Sequence, residues 1–560
     1  MRQNKIITRF SILLGVLFFW GNSFAQISLS INQQTIKQII PQIEKTSGYN
    51  VFYTDKLPNL DTRKDLLVSN APLEATLKEL FKGTKITFEI KPNKQVLLFQ
   101  QANKPSGNRK QVPSKLLVEA ESFDRKGGWV VDQQFMDLMG SPYLMAHGMG
   151  VPVEDASTTI SFPEDGTYYV FVRTYNWTSP WYDGKGPGKF TLAVDNKKLP
   201  VVLGDEGKQW MWQPAGTVSV KAGSSSLTLK DLTGFNGRCD AIYFTTEKGQ
   251  LPPAQATQLT DFRKKMLDIP AEPEQYSYDV IVTGGGIAGM CAAATASRLG
   301  CKVALINDRP VLGGNNSSEV RVHLGGNIGV GPNSGLGRMI REFGHSKEGN
   351  AKPAANYEDE KKELFIANEK NITLYANYRA ISVKTDGNRI ESVIIKHIEN
   401  GKEVELKAPL FSDCTGDGTI GYLAGADYNM GRESRTEYGE ELAPIQPDKM
   451  TMGSSVQWYS ADKGKPTRFP IFSYGLQFNE KNCEKVTMGE WKWETGMNFN
   501  QIDDFERIRD YGLMVIYSNW SFLKNELKDN KKYKNRALDW VAYIAGKRES
   551  RRLLGDYILK

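Results

Sequence analysis

The stretch from Tyr278 to Asn307 limits what this chain can fold into more than any other. Tyr278-Asp279-Val280-Ile281-Val282-Thr283 is a short apolar run, as a strand buried on both faces of a parallel sheet must be. Gly284-Gly285-Gly286-Ile287-Ala288-Gly289 follows at once. Met290 to Leu299 then reads as an alanine-rich helix stopped by Gly300, and Lys302 to Ile306 as a second buried strand. In such a unit Gly284 permits the tight turn and Gly286 lets a diphosphate approach the backbone. Gly289, with Ala293, lets the helix pack closely on the strand. The backbone N–H groups of Ile287 and Ala288, at the helix start, face the anionic charge. The flanking strands and helix make this fingerprint far more specific than a lone glycine triplet. One position departs from the rule: the acid that bonds a ribose belongs at the end of the second strand, where Asn307 stands, and Asp308 is one residue later.

At 560 residues the chain exceeds one hydrophobic core. Its 40% apolar and 24% charged residues are ordinary for globular material, and the net charge of +7 is spread without a basic stripe, which argues against nucleic acid as a partner. Arg2, Lys5 and Arg9 precede the apolar run Phe10 to Trp20, and Ser23-Phe24-Ala25 ends in a small residue. This is the pattern of a secretory signal peptide over residues 1–25. The run is shorter than the roughly 20 residues a membrane span needs. The expectation is an exported protein of the periplasm or cell envelope, with no membrane span after cleavage. The five cysteines are scattered, with no CxxC pair, and suggest neither a disulfide framework nor a zinc site.

The expected architecture is multidomain: a small α+β domain, a β-sandwich jelly roll, then an α/β Rossmann-like domain. Residues 26–101 read as strand, helix, strand, helix, strand, strand, with Ile36, Ile39, Ile40 and Ile43 at helical spacing. That order, with "APLEATLKELFKGTKITFEIKPNKQVLLF", resembles the secretin/TonB short N-terminal domain, which implies an envelope protein partner and no catalysis. Residues 102–115 form a polar linker. Residues 116–248 hold many short strands separated by glycine, proline and aspartate, the pattern of a sandwich. The opening "VEAESF" and closing "CDAIYF" resemble galactose-binding-like carbohydrate-binding modules. The resemblance implies a structural Ca²⁺ held by Glu119, Glu121 and Asp240; the competing reading makes the two glutamates an edge strand's solvent face. Trp177 and Trp181, in a proline- and glycine-rich loop, are candidates for stacking on a glycan substrate, although tryptophans are more often core. Residues 249–276 form a polar connector.

Residues 277–560 carry the chemistry. "DRPVLGGNN", from Asp308, resembles the arginine–glycine-glycine extension of the FAD-dependent oxidoreductase family. "NITLYANYRAISV" and "LFSDCTGDGTIGYLAGA" resemble later motifs of that family, in order. The resemblance implies FAD, held by Gly284, Gly286, Ile287, Ala288, Gly289, Asn307, Asp308, Arg309, Gly313, Gly314, Ala380, Thr415, Gly416 and Asp417. Glu319, Arg321 and His323 alternate in "SSEVRVHLGG", so as a strand they share one face beside the flavin. There His323 could take a substrate hydroxyl proton while hydride passes to the ring, and Arg321 could stabilise a developing negative charge. The bland alternative is a salt-bridged strand face. Arg548, Arg551 and Arg552 follow a helical rhythm. Family members extend beyond "GDYILK", so the domain is expected to be C-terminally incomplete. The leading expectation is an exported flavoenzyme oxidising a carbohydrate or polyol. The alternative is a glycan-binding or envelope-docking protein with a vestigial flavin domain.

Overall fold

The computed structural model describes residues 26–54, 57–91, 94–100, 113–327, 329–332, 334–344, 347–490 and 493–557; the signal-like segment 1–25 lies outside them. The chain divides into two compact units, one from the residues up to 111 and one from the residues after it.

In the first unit, helix Ile36–Ser47 starts where a capping box closes it. The Thr35 hydroxyl accepts from the Gln38 amide at 3.3 Å, and Gln38 Oε1 accepts from the Thr35 amide at 3.1 Å. Its isoleucine stripe is buried with Leu77 and Leu80 of helix Leu73–Phe81 and with Val96. Strand Gln95–Gln100 lies between Asn50–Phe52, parallel to it, and Ile86–Lys91, antiparallel. A further strand, Arg63–Pro72, pairs antiparallel with Gln26–Thr35. The sequence does not announce it, because Leu66 is its one buried residue and no apolar alternation results.

The second unit opens with two four-stranded antiparallel sheets. One runs Met211–Val220, Gly166–Thr174, Ala241–Thr245, Lys115–Glu119; the other runs Lys197–Lys198, Phe190–Val194, Gly223–Asp231, Ala156–Phe162. Val170 and Ile242 from the first meet Leu192, Leu229 and Phe162 from the second in one core. The connector is not merely polar: helix Ala256–Met266 buries Leu259 with Leu117, Phe171 and Tyr243 of the sandwich.

Beyond it lies a four-stranded parallel sheet, ordered Ile372–Ala376, Val303–Asn307, Val280–Thr283, Leu410–Asp413. Helix Ile287–Arg298 covers one face, with Met290, Ala293 and Ala294 fully buried against Val282, Val303 and Leu305. A second four-stranded sheet, Glu274–Ser277, Glu403–Lys407, Arg389–His397, Tyr378–Asp386, packs through Val393, Ile395 and Leu406 onto Ile281 and Ala304. A 21-residue helix, Phe505–Asn525, buries Met514, Tyr517 and Trp520 against Trp458 and Phe472.

The sequence reads the sandwich and the flavin domain as successive modules, yet the largest apolar core spans both. Tyr143, Tyr175, Trp177 and Phe235 of the sandwich are buried together with Trp458, Phe472, Met514, Tyr517 and Trp520. A charged layer runs through the same junction. Arg238 of the sandwich bonds Asp510 at 2.5 Å and Glu506 at 2.8 Å on the long helix. Arg509 of that helix bonds Asp132 of the sandwich at 2.7 Å, and all of these except Glu506 are buried.

Candidate cofactor and active site

The expected turn is present. The Gly284 amide donates to Ile306 O at 2.9 Å, and Gly284 has φ 105°, a conformation that only glycine adopts without strain. A side chain there would strike Cys414 O at 2.2 Å, and one at Gly289 would strike Gly284 O at 1.8 Å. Gly286 is different. A Cβ on it would meet nothing nearer than Gly314 Cα at 3.9 Å, so the space over Gly286 is open exactly where the first turn of the helix presents its N–H groups. That open cradle fits the diphosphate of a dinucleotide.

The cradle is one wall of a cavity of about 530 Å³. Of the residues expected to hold FAD, Gly284, Gly286, Ile287, Ala288, Asn307, Asp308, Arg309, Gly313, Gly314, Ala380, Thr415, Gly416 and Asp417 line it; Gly289 lies beneath, as the packing glycine. The Asn307 amide nitrogen is spent on Arg309 O (2.7 Å) and Val311 O (3.0 Å), so what it offers a ribose is its Oδ1. Asp308 pairs with Arg379 at 2.8 Å. Burial pulls the Arg379 guanidinium down, but Asp137 and Asp308 together hold it above its ordinary range. Thr415 is fixed by donating to Asp413 Oδ1 at 2.7 Å, while Asp413 Oδ2 accepts from the Ile420 and Gly421 amides. Asp417 accepts from Lys547 at 3.0 and 2.9 Å and from the Ser550 hydroxyl at 2.6 Å.

The three proposed reaction-centre residues are not brought together. Residues 318–325 form turns and irregular backbone, and Arg321 has φ 63°, which breaks the alternation of a strand. The Arg321 guanidinium stacks 3.9 Å over the Trp540 ring and donates to Ser318 O and Lys352 O. Glu319 is largely covered, beside Arg309 and the Tyr543 hydroxyl. Burial lifts its carboxyl to about 7; Arg309 pulls it the other way and Asp308 adds to the lift. His323 alone of the three lines the cavity. Its Nδ1 lies 2.9 Å from Asn350 Oδ1, which also accepts its backbone N–H at 3.1 Å, while Asn350 Nδ2 donates to Glu490 at 3.2 Å. An amide oxygen facing Nδ1 requires the proton there, which leaves Nε2 as the basic nitrogen. Arg548, Arg551 and Arg552 are on no helix. They pair instead with Glu494, with the Tyr422 ring (3.9 Å) and with Glu433 (2.6 Å).

Two readings of the sandwich are corrected. Trp177 is fully buried, its Nε1 donating to Phe235 O at 2.9 Å and its ring stacked on Phe472. Trp181 packs on Tyr511, with centroids 5.6 Å apart. Trp177 is closed to a glycan, while Trp181 is half-buried against the same core. The calcium place is filled by a guanidinium: Arg263 bonds Glu119 at 2.9 Å and Asp240 at 2.5 Å, and Arg173 bonds Asp240 at 2.8 Å. Burial, then the charges of Glu119 and Asp240, push the Glu121 carboxyl well above its usual range. Among the described residues no group of three or more His, Cys, Asp or Glu side chains could hold a metal ion.

Sequence reasoning missed Lys547, Arg379, Gln133, Gln134 and Phe505, all of which line the cavity. Arg379 sits inside a recognised motif, whereas Gln133 and Gln134 come from the sandwich and have no local signal.

Residues 279–560 match the family described as FAD dependent oxidoreductase. The chain belongs to that family. As such it is an FAD-dependent oxidoreductase, and the open cradle over Gly286 fits a dinucleotide's diphosphate. Over 68 residues it is 37% identical to the soluble pyridine nucleotide transhydrogenase of Ectopseudomonas mendocina (strain ymp); the match covers 12% of this chain and 13% of that one. Among solved structures, a family 35 carbohydrate binding module from Clostridium thermocellum is similar at 16% identity and a TM-score of 0.20, over 23% of this chain and 97% of that one. THI4 of Thermovibrio ammonificans is similar at 18% identity and a TM-score of 0.22, over 34% and 80%. Among the described residues no helix is long and apolar enough to cross a membrane.

Proposed function

We propose that this flavoenzyme is exported and oxidises a carbohydrate or related polyol at the His323 side of the cavity. The observation that carries the reading is the Glu490–Asn350–His323 chain, which presents a basic imidazole nitrogen at the cavity wall. Bound FAD supplies the hydride acceptor. His323 Nε2 takes the proton of the substrate hydroxyl; Asn350 keeps the other proton on Nδ1, and Glu490 keeps Asn350 from flipping. Gln133, Asn315, Asn316 and Glu549 also line the cavity and suit a substrate with several hydroxyl groups. Export rests on the pattern of residues 1–25, and the small first unit is proposed to dock an envelope protein. On this reading the parallel sheet with its glycine loop is a Rossmann-like FAD domain and the sandwich a jelly roll.

The test is anaerobic mixing of FAD-loaded full-length protein with aldoses and polyols. The reading expects flavin absorbance to bleach with at least one of them, and His323→Ala to slow bleaching about 100-fold or more, the usual range for a lost general base. A His323→Ala protein that bleaches at the parent's rate removes the base assignment. Bleaching by none of the polyols removes the substrate class.

A further inference from the structure

The cavity has a wall that the flavin domain does not supply. Residues 132–139 of the sandwich, ending in the short helix Met136–Met139, act on it at two points, one at its wall and one through the lining residue Arg379. At the first, Gln134 lines the cavity and grips the backbone of the opposite wall. Its Nε2 donates to Tyr543 O at 2.9 Å and its Oε1 accepts from the Ala545 amide at 3.1 Å. Asp132 holds Gln134 in that pose, accepting from its Nε2 at 2.9 Å, and is itself bonded by buried Arg509, which also donates to Tyr543 O at 2.8 Å. At the second point, Asp137 takes Arg379 in a two-pronged pair, 3.2 Å to Nε and 2.8 Å to Nη2. Arg379 in turn holds Asp308, at the end of the strand where a ribose contact is expected.

We propose that this sandwich segment is part of the FAD-binding machinery. Gln134 positions the 543–545 wall, and Asp137, through Arg379, positions Asp308. The sandwich therefore completes the cofactor site instead of serving as a detachable ligand-binding module. A paired amide and a two-pronged ion pair are directional, so they fix the wall's distance from the glycine loop more tightly than apolar packing does. Asp137 and Gln134 touch other protein groups, so both are positioning residues. Their contacts also couple the two halves: whatever binds the folded cavity stabilises the segment that shapes it.

Hydrogen exchange on the full-length protein, with and without saturating FAD, tests this directly. The proposal expects FAD to slow exchange in residues 130–139 as well as in the glycine loop. Protection confined to the loop and to residues beyond 277 would overturn it. The double variant Gln134→Ala/Asp137→Asn should bind FAD about tenfold more weakly, the loss of roughly one charge-assisted bond. Exposed Asp183→Asn should not. Asp137→Asn alone, at a partly exposed carboxylate, should keep the parent's melting temperature while still losing affinity. Unchanged affinity in both variants would contradict the proposal. A parent protein that binds no FAD would remove the cofactor reading instead. In that case exchange of the ligand-free double variant still decides: faster exchange at 543–547 supports the clamp, and unchanged exchange refutes it.

Discussion

Glu319 keeps its proton to about pH 7 because it is buried, with Arg309 3.6 Å away offsetting only part of that cost. An unfolded glutamate gives its proton up near 4.5. Between the two values the folded state binds more protons than the unfolded state, so stability falls as pH rises from about 4.5 to about 7, and is flat above. The gap corresponds to roughly 3 kcal/mol at 1.36 kcal/mol per unit. Glu319→Gln keeps the shape and cannot ionise. Denaturation at about pH 5 and about pH 8 should show the parent losing stability across that interval and the variant losing far less. Equal losses in the two proteins would refute the assignment. None of this was legible in the sequence, where Glu319 reads as one tooth of a strand. The alternation in "SSEVRVHLGG" is real, but Arg321 at φ 63° breaks it, and the three side chains go to separate places.

At the scale of elements, legibility followed how local the forces are. The glycine-loop unit was read correctly because strand, turn and helix each leave a short-range mark: buried apolar runs, a positive φ at Gly284 and small residues on one helix face. Trp177 left a misleading mark. Its loop looks exposed, and it is covered by helix Phe505–Asn525 and the Phe472 segment, which lie more than 290 residues away. The same helix buries Arg238 with Asp510, and removing one partner of such a pair strands the other charge in the core. Arg238→Ala should therefore destabilise the second unit by about 3–5 kcal/mol, read from denaturant midpoints. A loss below about 1 kcal/mol would place the pair among solvent-screened surface bridges, contrary to its burial.

At the scale of the whole molecule, the sandwich and the flavin half are one structure that the sequence presents as two. Glu119 and Asp240, two of the three acids expected to hold calcium, are taken by Arg263 of the connector, and the aromatic rings expected to meet a glycan pack in or against the shared core. What survives from the sequence is the strand, glycine turn and helix, and the family they announce. The central claim is that FAD lies over Gly286, and titration of the full-length protein with FAD, followed by quenching of flavin fluorescence, tests it most directly. The parent should bind one FAD per chain, saturably. Gly286→Val should keep the parent's melting temperature, because a Cβ there meets nothing nearer than Gly314 Cα at 3.9 Å, an ordinary contact, and should lose binding about 100-fold or more by filling the diphosphate's place. A Gly286→Val protein that binds FAD as the parent does, or a folded parent that binds none, would contradict the account.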